Sequence, residues 1–168
     1  ISGNVKFVNK YDNFIIFTNK ATYLKNDEII FTEGNSKAIV ESKYNFLSKN
    51  VIYDKNNKEI SSNSNTKVID DNGNTYQSSK FLYQVNTGLL KAKKVQVSIK
   101  IAKSKTDNYF FSEGFFNLKD KSFLSKETKV KVHKSIFDNT EQDPRIYGAS
   151  SSGDEKKTII HNGVFTSC

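Results

Sequence analysis

The sequence has no methionine, no tryptophan, one cysteine (Cys168), one proline (Pro144) and one arginine (Arg145). Each absence excludes something. A single cysteine cannot close a disulfide within the chain. The two histidines, His133 and His161, stand at no recognised ligand spacing from it, so no metal site is expected. The longest apolar run is three or four residues, far short of a membrane-crossing helix. Gly-rich phosphate loops and a Gly-x-Ser-x-Gly elbow are both missing. Acidic pairs such as Asp70-Asp71 and Asp154-Glu155 sit in turn contexts, where a solvated charge is the ordinary reading. The chain therefore reads as non-enzymatic, with no catalytic residue and no cofactor.

The scarcity of arginine also bears on the net charge of +8. Of 26 basic residues 25 are lysine, and it is the planar fork of arginine that grips guanine and phosphate in two places at once. A nucleic-acid partner is accordingly not expected. The lysines are read chiefly as a solvated surface, with some other anionic partner as the alternative.

What the chain does contain is aromatic residues in alternation. Thirteen phenylalanines and eight tyrosines carry much of its apolar mass, which suits strands. Strand signals fall at Phe7, Phe14 to Phe17, Ile29 to Phe31, Val95-Val97-Ile99-Ile101, and Lys129 to His133. Turn signals separate them, the strongest being Asp71-Asn72-Gly73-Asn74, where Asn-Gly predicts a type I′ hairpin. Charge and turn residues thicken from Asp138 to Lys157, and Ser150 to Asp154 is expected to be a mobile surface loop. Short strands at such spacing indicate a sandwich, a jelly roll or a β-solenoid. No low-complexity linker divides the chain, so residues 1–168 form one domain. Beginning at Ile1 and lacking methionine, the chain reads as a piece of a longer precursor.

The sequence also repeats. Tyr23, Tyr53 and Tyr83 lie thirty residues apart, and Ile30, Ile60 and Leu90 keep the same register. So do Ile39, Ile69 and Ile99, and likewise Ile16, Phe46 and Tyr76. After a slip of three residues the columns resume with Tyr109, Phe116, Phe123 and Val132. A thirty-residue unit holds too few strands to bury its own apolar face, so stacked units must align these columns into one interior stripe. The stripe candidates are Tyr23, Ile30, Ile39, Phe46, Tyr53, Ile69, Tyr83, Leu90, Ile99, Tyr109, Phe116 and Val132. Such a stripe is either a closed core or the lining of a groove. Cys168 is either a small apolar residue or half of a disulfide with a partner elsewhere.

The tail Ile146-Tyr147-Gly148, followed by Asn162-Gly163-Val164-Phe165-Thr166-Ser167-Cys168, resembles the end of the periplasmic domain in the organic-solvent-tolerance (OstA, LptD) family of lipopolysaccharide-assembly proteins. Lys49 to Asp54 with Lys67-Val68-Ile69, and Lys80 to Tyr83 with Gly88-Leu89-Leu90, are similar to that family's degenerate strand repeat. The resemblance implies an OstA-like open β-jelly roll, made of two antiparallel sheets of stacked short strands around a greasy interior. It implies a periplasmic domain attached to the outer membrane that takes lipopolysaccharide, acyl chains inside, and passes it to an outer-membrane barrel. The implied partners are a bridge protein of the same family docked edge to edge, the barrel, and the barrel's plug lipoprotein. Cys168 would match the family cysteine that pairs with the barrel; the second family cysteine, near the N-terminus, has no counterpart here. Two rival readings are a free-standing bridge protein of that family and a structural β-solenoid segment of an adhesin.

Overall fold

A computed structural model of the chain describes residues 1–11, 13–102, 105–134 and 144–167. Fifteen strands account for most of it. Six come first: β1 (Ser2–Asn9), β2 (Phe14–Leu24), β3 (Ile29–Val40), β4 (Tyr44–Lys49), β5 (Ile52–Asp54) and β6 (Glu59–Ser62). The middle of the chain supplies β7 (Thr66–Ile69), β8 (Thr75–Ser78), β9 (Lys80–Gln84) and β10 (Leu89–Ala102). The remainder are β11 (Lys105–Asn117), β12 (Phe123–Lys131), β13 (Arg145–Gly153), β14 (Thr158–His161) and β15 (Val164–Thr166). Every pairing is antiparallel, and the all-β class expected from the alternation holds.

Two walls face each other across the core. One contains β4, β7 and β8, the other β5, β6 and β9. The long strands β3 and β10 belong to both. One half of β3 pairs with β4 and the other with β5, while β10 likewise pairs with β8 and β9. Hydrogen bonding therefore closes eight strands into a ring, β3-β4-β7-β8-β10-β9-β6-β5. The ring replaces the expected open pair of sheets. It forms because several strands are longer than the short ones anticipated and bend from one wall into the other. Extra strands flank it: β2 and β1 beyond β3, and β11, β12, β13, then β14 and β15, beyond β10.

Bending a strand breaks its ladder, and the freed backbone groups need partners. A seam of buried hydroxyls supplies them. The Val51 amide donates to Thr32 Oγ1 at 2.7 Å, and Ser62 Oγ donates to the Lys49 carbonyl at 2.6 Å. Ser48 and Thr66 share a hydrogen bond of 2.7 Å, and Ser125, Thr128 and Ser151 form a buried trio with two contacts of 2.7 Å. Ser151 is wholly buried on β13, so Ser150 to Gly153 is strand and not the expected loop. The turn at Asn72-Gly73 also differs from expectation. Only Gly73 has positive φ (76°), with its amide on the Asp70 carbonyl, whereas type I′ needs two such residues.

The repeat columns interleave. On the inner face of the second wall, successive cross-strand partners run Tyr23, Ile30, Tyr53, Ile60, Tyr83, Leu90, Phe116, Phe123. The tyrosine column and the isoleucine column are thus one ladder, and the three-residue slip is where Leu90 meets Phe116. Opposite it, the first wall places Ile16, Ala38, Phe46, Val68, Tyr76, Val97, Tyr109 and Val130 in one row. The turns repeat too. Glu28, Lys58 and Gly88 all have positive φ, and their carbonyls accept from the amides of Lys55, Val85 and Leu118.

Two calls fail. Ile39 and Ile69 lie next to buried Ala38 and Val68, so strand alternation turns them onto the outer face, while their column mate Ile99 faces in. The cause is the bend. Inward positions around it are Thr32 and Ser36 in β3, with Gly34 between them, but Ala92 and Val95 in β10. One residue fewer reverses the parity beyond it. Tyr23 is 46% exposed, because β1 covers β2 only as far as Lys20 and the ladder ends there. Val132 is half-buried just past the end of β12.

The outer face of the first wall has its own unbroken row. Partners run Lys6, Phe17, Lys37, Leu47, Lys67, Gln77, Gln96, Phe110, Lys129, Tyr147, Val164.

The ladder makes a stability prediction. Ile60→Ala, inside the ladder and 1% exposed, costs about 2–5 kcal/mol in urea unfolding. Ile69→Ala, on the outer face, costs roughly 1 kcal/mol or less. Equal losses at the two positions would contradict the assigned facing.

Candidate functional site

The core is packed differently at its two ends. Near β1 it is filled: Phe14 lies 4.6 Å from Tyr53 between ring centroids, and Phe7 closes the cluster at 5.9 and 5.7 Å. The Asn9 side-chain amide donates to the Tyr53 hydroxyl at 3.1 Å. Next comes Phe46, packed on both Phe81 and Tyr83, all three buried. Toward β11 and β12 the packing is less complete. Tyr76, Ile99, Tyr109 and Phe123 pack on the core yet stay only partly buried, and a cleft of about 400 Å³ opens among them. That is within the range of about 300–1,000 Å³ usual for ligand pockets.

The floor of the cleft is aromatic. Phe111 stands 6.0 Å from Phe116 and 5.9 Å from Phe123, with Tyr76 edge-on to Phe116 at 6.5 Å. Three tyrosine hydroxyls mark its edges. Tyr44 donates to the Leu118 carbonyl at 2.7 Å and Tyr76 to Asp70 Oδ2 at 3.1 Å. Burial raises the pKa of both phenols, and of Tyr109 as well; the Asp70 carboxylate adds to the rise at Tyr76 and that of Asp107 to the rise at Tyr109. None of these three phenols ionises near neutral pH, so they add no charge to the aromatic floor.

The rim is the opposite. Asp70, Asp71, Lys121, Asp154, Glu155, Lys156 and Lys157 come from three turns that converge on the mouth. Lys121 and Glu155 pair across it, joining the β11–β12 turn to the β13–β14 turn, and this hydrogen bond raises the Lys121 pKa. Both partners are largely exposed, so the pair guides the mouth's shape without adding much stability. The whole is an apolar trough with a charged lip. It can hold a hydrocarbon chain while leaving polar groups in water.

Of the twelve stripe candidates, Ile30, Phe46, Tyr53, Tyr83 and Leu90 are core. Ile99, Tyr109 and Phe116 line the cleft. Tyr23, Ile39, Ile69 and Val132 lie outside both. Sequence reasoning missed Tyr44, Val97, Phe111 and Leu118 as interior residues of this end. Val97 carried a signal in its alternation with Val95 and Ile99; the others fall between the columns. His161 is exposed on β14, and the His133 amide donates to Asp107 Oδ1. Among the described residues no cluster of His, Cys, Asp and Glu could hold a metal ion. No helix among them is long and apolar enough to cross a membrane. Cys168 lies outside the described residues.

Comparison with family models and with curated proteins finds no match to this chain.

Tyr83 is fully buried, and among the described residues its hydroxyl has no hydrogen-bond partner. An orphaned buried hydroxyl costs about 1–3 kcal/mol. Tyr83→Phe is therefore expected to leave the unfolding free energy unchanged or raise it by about 1 kcal/mol. A loss of that size instead would reveal a partner for the hydroxyl.

Proposed function

We propose that this is a non-enzymatic β-domain that holds an amphipathic lipid by its hydrocarbon part. The observation that carries this is the asymmetry of the core, solid near β1 and open between β10 and β12 with an uncharged floor and a charged lip. Each methylene moved from water to such a floor contributes about 0.8 kcal/mol. Holding needs no bond-making group, and the reading assigns none.

The particular lipid proposed is lipopolysaccharide, and the particular role is the periplasmic domain of an outer-membrane translocon. The sequence likeness of the tail and of the strand repeat to the OstA family supports this choice. In this reading the ring with its bent strands is an OstA-like jelly roll whose walls spread at the β11–β13 end. Strand edges support it as well. Among the described residues β1 pairs only with β2, and β14 and β15 pair only with β13, which leaves a strand edge at each end of the stack. Such edges accept a further strand. A bridge protein of the same family would add at one end, and the barrel with its plug lipoprotein would follow at the other. Of the quoted tail, Ile146 to Gly148 lie in β13 and Val164 to Thr166 form β15, both at that second end. Cys168 would pair there with the barrel.

Photo-crosslinking tests the reading. A benzophenone side chain at Ile99, Tyr109 or Phe123 is expected to capture purified lipopolysaccharide, and one at Ile39 or Ile69 is not. Absence of adducts at the three cleft positions, or equal capture on the outer face, sinks it and leaves the structural-segment reading in its place.

A further inference from the structure

The outer face of the first wall carries a second feature, remote from the cleft. Lys6, Phe17, Lys37, Leu47 and Lys67 are successive cross-strand partners, so a lysine recurs on every second strand with an apolar residue between. Strands lie about 4.8 Å apart, which spaces the ammonium groups at about 10 Å. No carboxylate lies in this row, and none lies in the row beside it that runs from Val8 through Ile15, Ile39 and Ile69 to Lys131 and Arg145. Among the described residues the carboxylates fall instead in turns, near the seam or on the other wall, apart from Asp107, which pairs with inward-facing Ile99. Lys37 and Lys67 have no carboxylate partner among the described residues, whereas Lys20, Lys55, Lys91 and Lys121 each have one.

The first strands of this face also form a trough of about 830 Å³. Lys6, Lys37 and Lys49 line it together with four asparagines, Asn4, Asn19, Asn35 and Asn65. Phe17 and Leu47 lie in it with over a third of their surface exposed, and the Lys6 ammonium sits 5.7 Å from the Phe17 ring. The chemistry is specific: isolated cations, amides that both donate and accept, and an exposed aromatic face. Amides bond hydroxyls, an aromatic ring stacks on the apolar face of a sugar, and widely spaced lysines answer widely spaced anions.

We propose that this trough binds a linear acidic oligosaccharide, one carrying an anionic group on alternate sugars. Shape and spacing favour it over other polyanions. Adjacent strands rotate by about 20–25°, so a flat bilayer meets only a few strands of the face, while a flexible chain can follow the row. A nucleic acid carries a phosphate on every nucleotide, one per about 3.4 Å of helix axis on each strand of a duplex, and most would meet no cation here. The row continues past β8 to Lys129, whose ammonium lies 5.4 Å from the Tyr147 ring, repeating the Lys6–Phe17 arrangement. The site is independent of the lipid reading, because its ligand has no acyl chain and its residues are not those of the cleft.

Titration of the full chain with a hyaluronan octasaccharide, at low and at physiological salt, tests it by calorimetry. Binding is expected, with affinity falling at least tenfold in Lys37→Gln/Lys49→Gln and in Phe17→Ser. Lys93→Gln, on another part of the surface, should bind as the parent does. The neutral maltooctaose should bind at least tenfold more weakly. Unchanged thermal midpoints would establish that the variants are folded. No binding by the parent, equal binding of the neutral glycan, or equal affinity in Lys93→Gln and Lys37→Gln/Lys49→Gln would each overturn the proposal. So would tighter binding of single-stranded DNA or of anionic phospholipid vesicles through the same residues.

Discussion

The structure depends on strands that bend, and bending is possible because the crease is lined with buried hydroxyls. A backbone that changes walls loses ladder hydrogen bonds, and inside a core such losses are costly. Thr18, Thr32, Ser36, Ser48, Ser62, Thr66, Ser125, Thr128 and Ser151 occupy the crease strand after strand. They are small enough to let the chain turn and polar enough to satisfy what the turn releases. Larger apolar residues there would fill the crease and leave amides such as that of Val51 without an acceptor. Positive φ at Gly34, Asn50, Lys94 and Glu127 marks the same line. The hydroxyls and these conformations are two halves of one device.

From that crease the rest follows. Bent strands place two apolar faces opposite each other, and cross-strand pairing aligns each face into a ladder. Tyrosine against isoleucine is a workable alternation, because a flat ring beside a branched chain fills space without voids. The walls stay together while the residues are large on both sides, as with Phe46 against Tyr83. Toward β11 the partners become Gly114, Phe116 and Phe123, and a glycine in the inner row contributes no volume. A Cβ at Gly114 would in fact strike the Phe116 ring, so the glycine lets that ring lie back against the wall. That ring is part of the cleft's floor. An interior can thus change from core to trough within one sheet, with no change of topology.

Much of this was legible from the residues. Tyr53, Ile60 and Tyr83 could be placed in one interior because their spacing is even and recurs, and the three-residue slip before Phe116 was visible as a shift in the columns. What could not be read was the length of each bend. The crease takes one residue more in β3 than in β10, and that single residue decides which of Ile39, Ile69 and Ile99 faces in. Serines and threonines in a strand look alike whether they sit at a crease or on a surface. For that reason Ser150 to Gly153 passed for a loop although Ser151 is buried against Ser125 and Thr128. The open end was illegible for a related cause. Tyr76 and Tyr83 are the same residue type at inward positions, and only how completely neighbours cover them separates a cleft lining from a core.

The two faces of the first wall place different demands on the same strands. Inward positions must be apolar to keep the ladder, while outward positions are free to vary, and in a twisted sheet most of them settle as scattered mixed charge. Here they do not. Lysine recurs on alternate strands across β1, β3 and β7 with no carboxylate between, although neighbouring parts of the surface pair lysine with glutamate readily. Like charges about 10 Å apart on one face repel weakly, at about the screening length of physiological salt. Fold stability gains nothing from keeping them there. Nor does solubility need a single sign on one wall when the net charge is already +8. An arrangement that neither folding nor solubility requires points to a partner of opposite charge. The thirty-residue repeat supplies its spacing, since the same period that stacks Tyr53 and Tyr83 inside sets Lys37 and Lys67 outside.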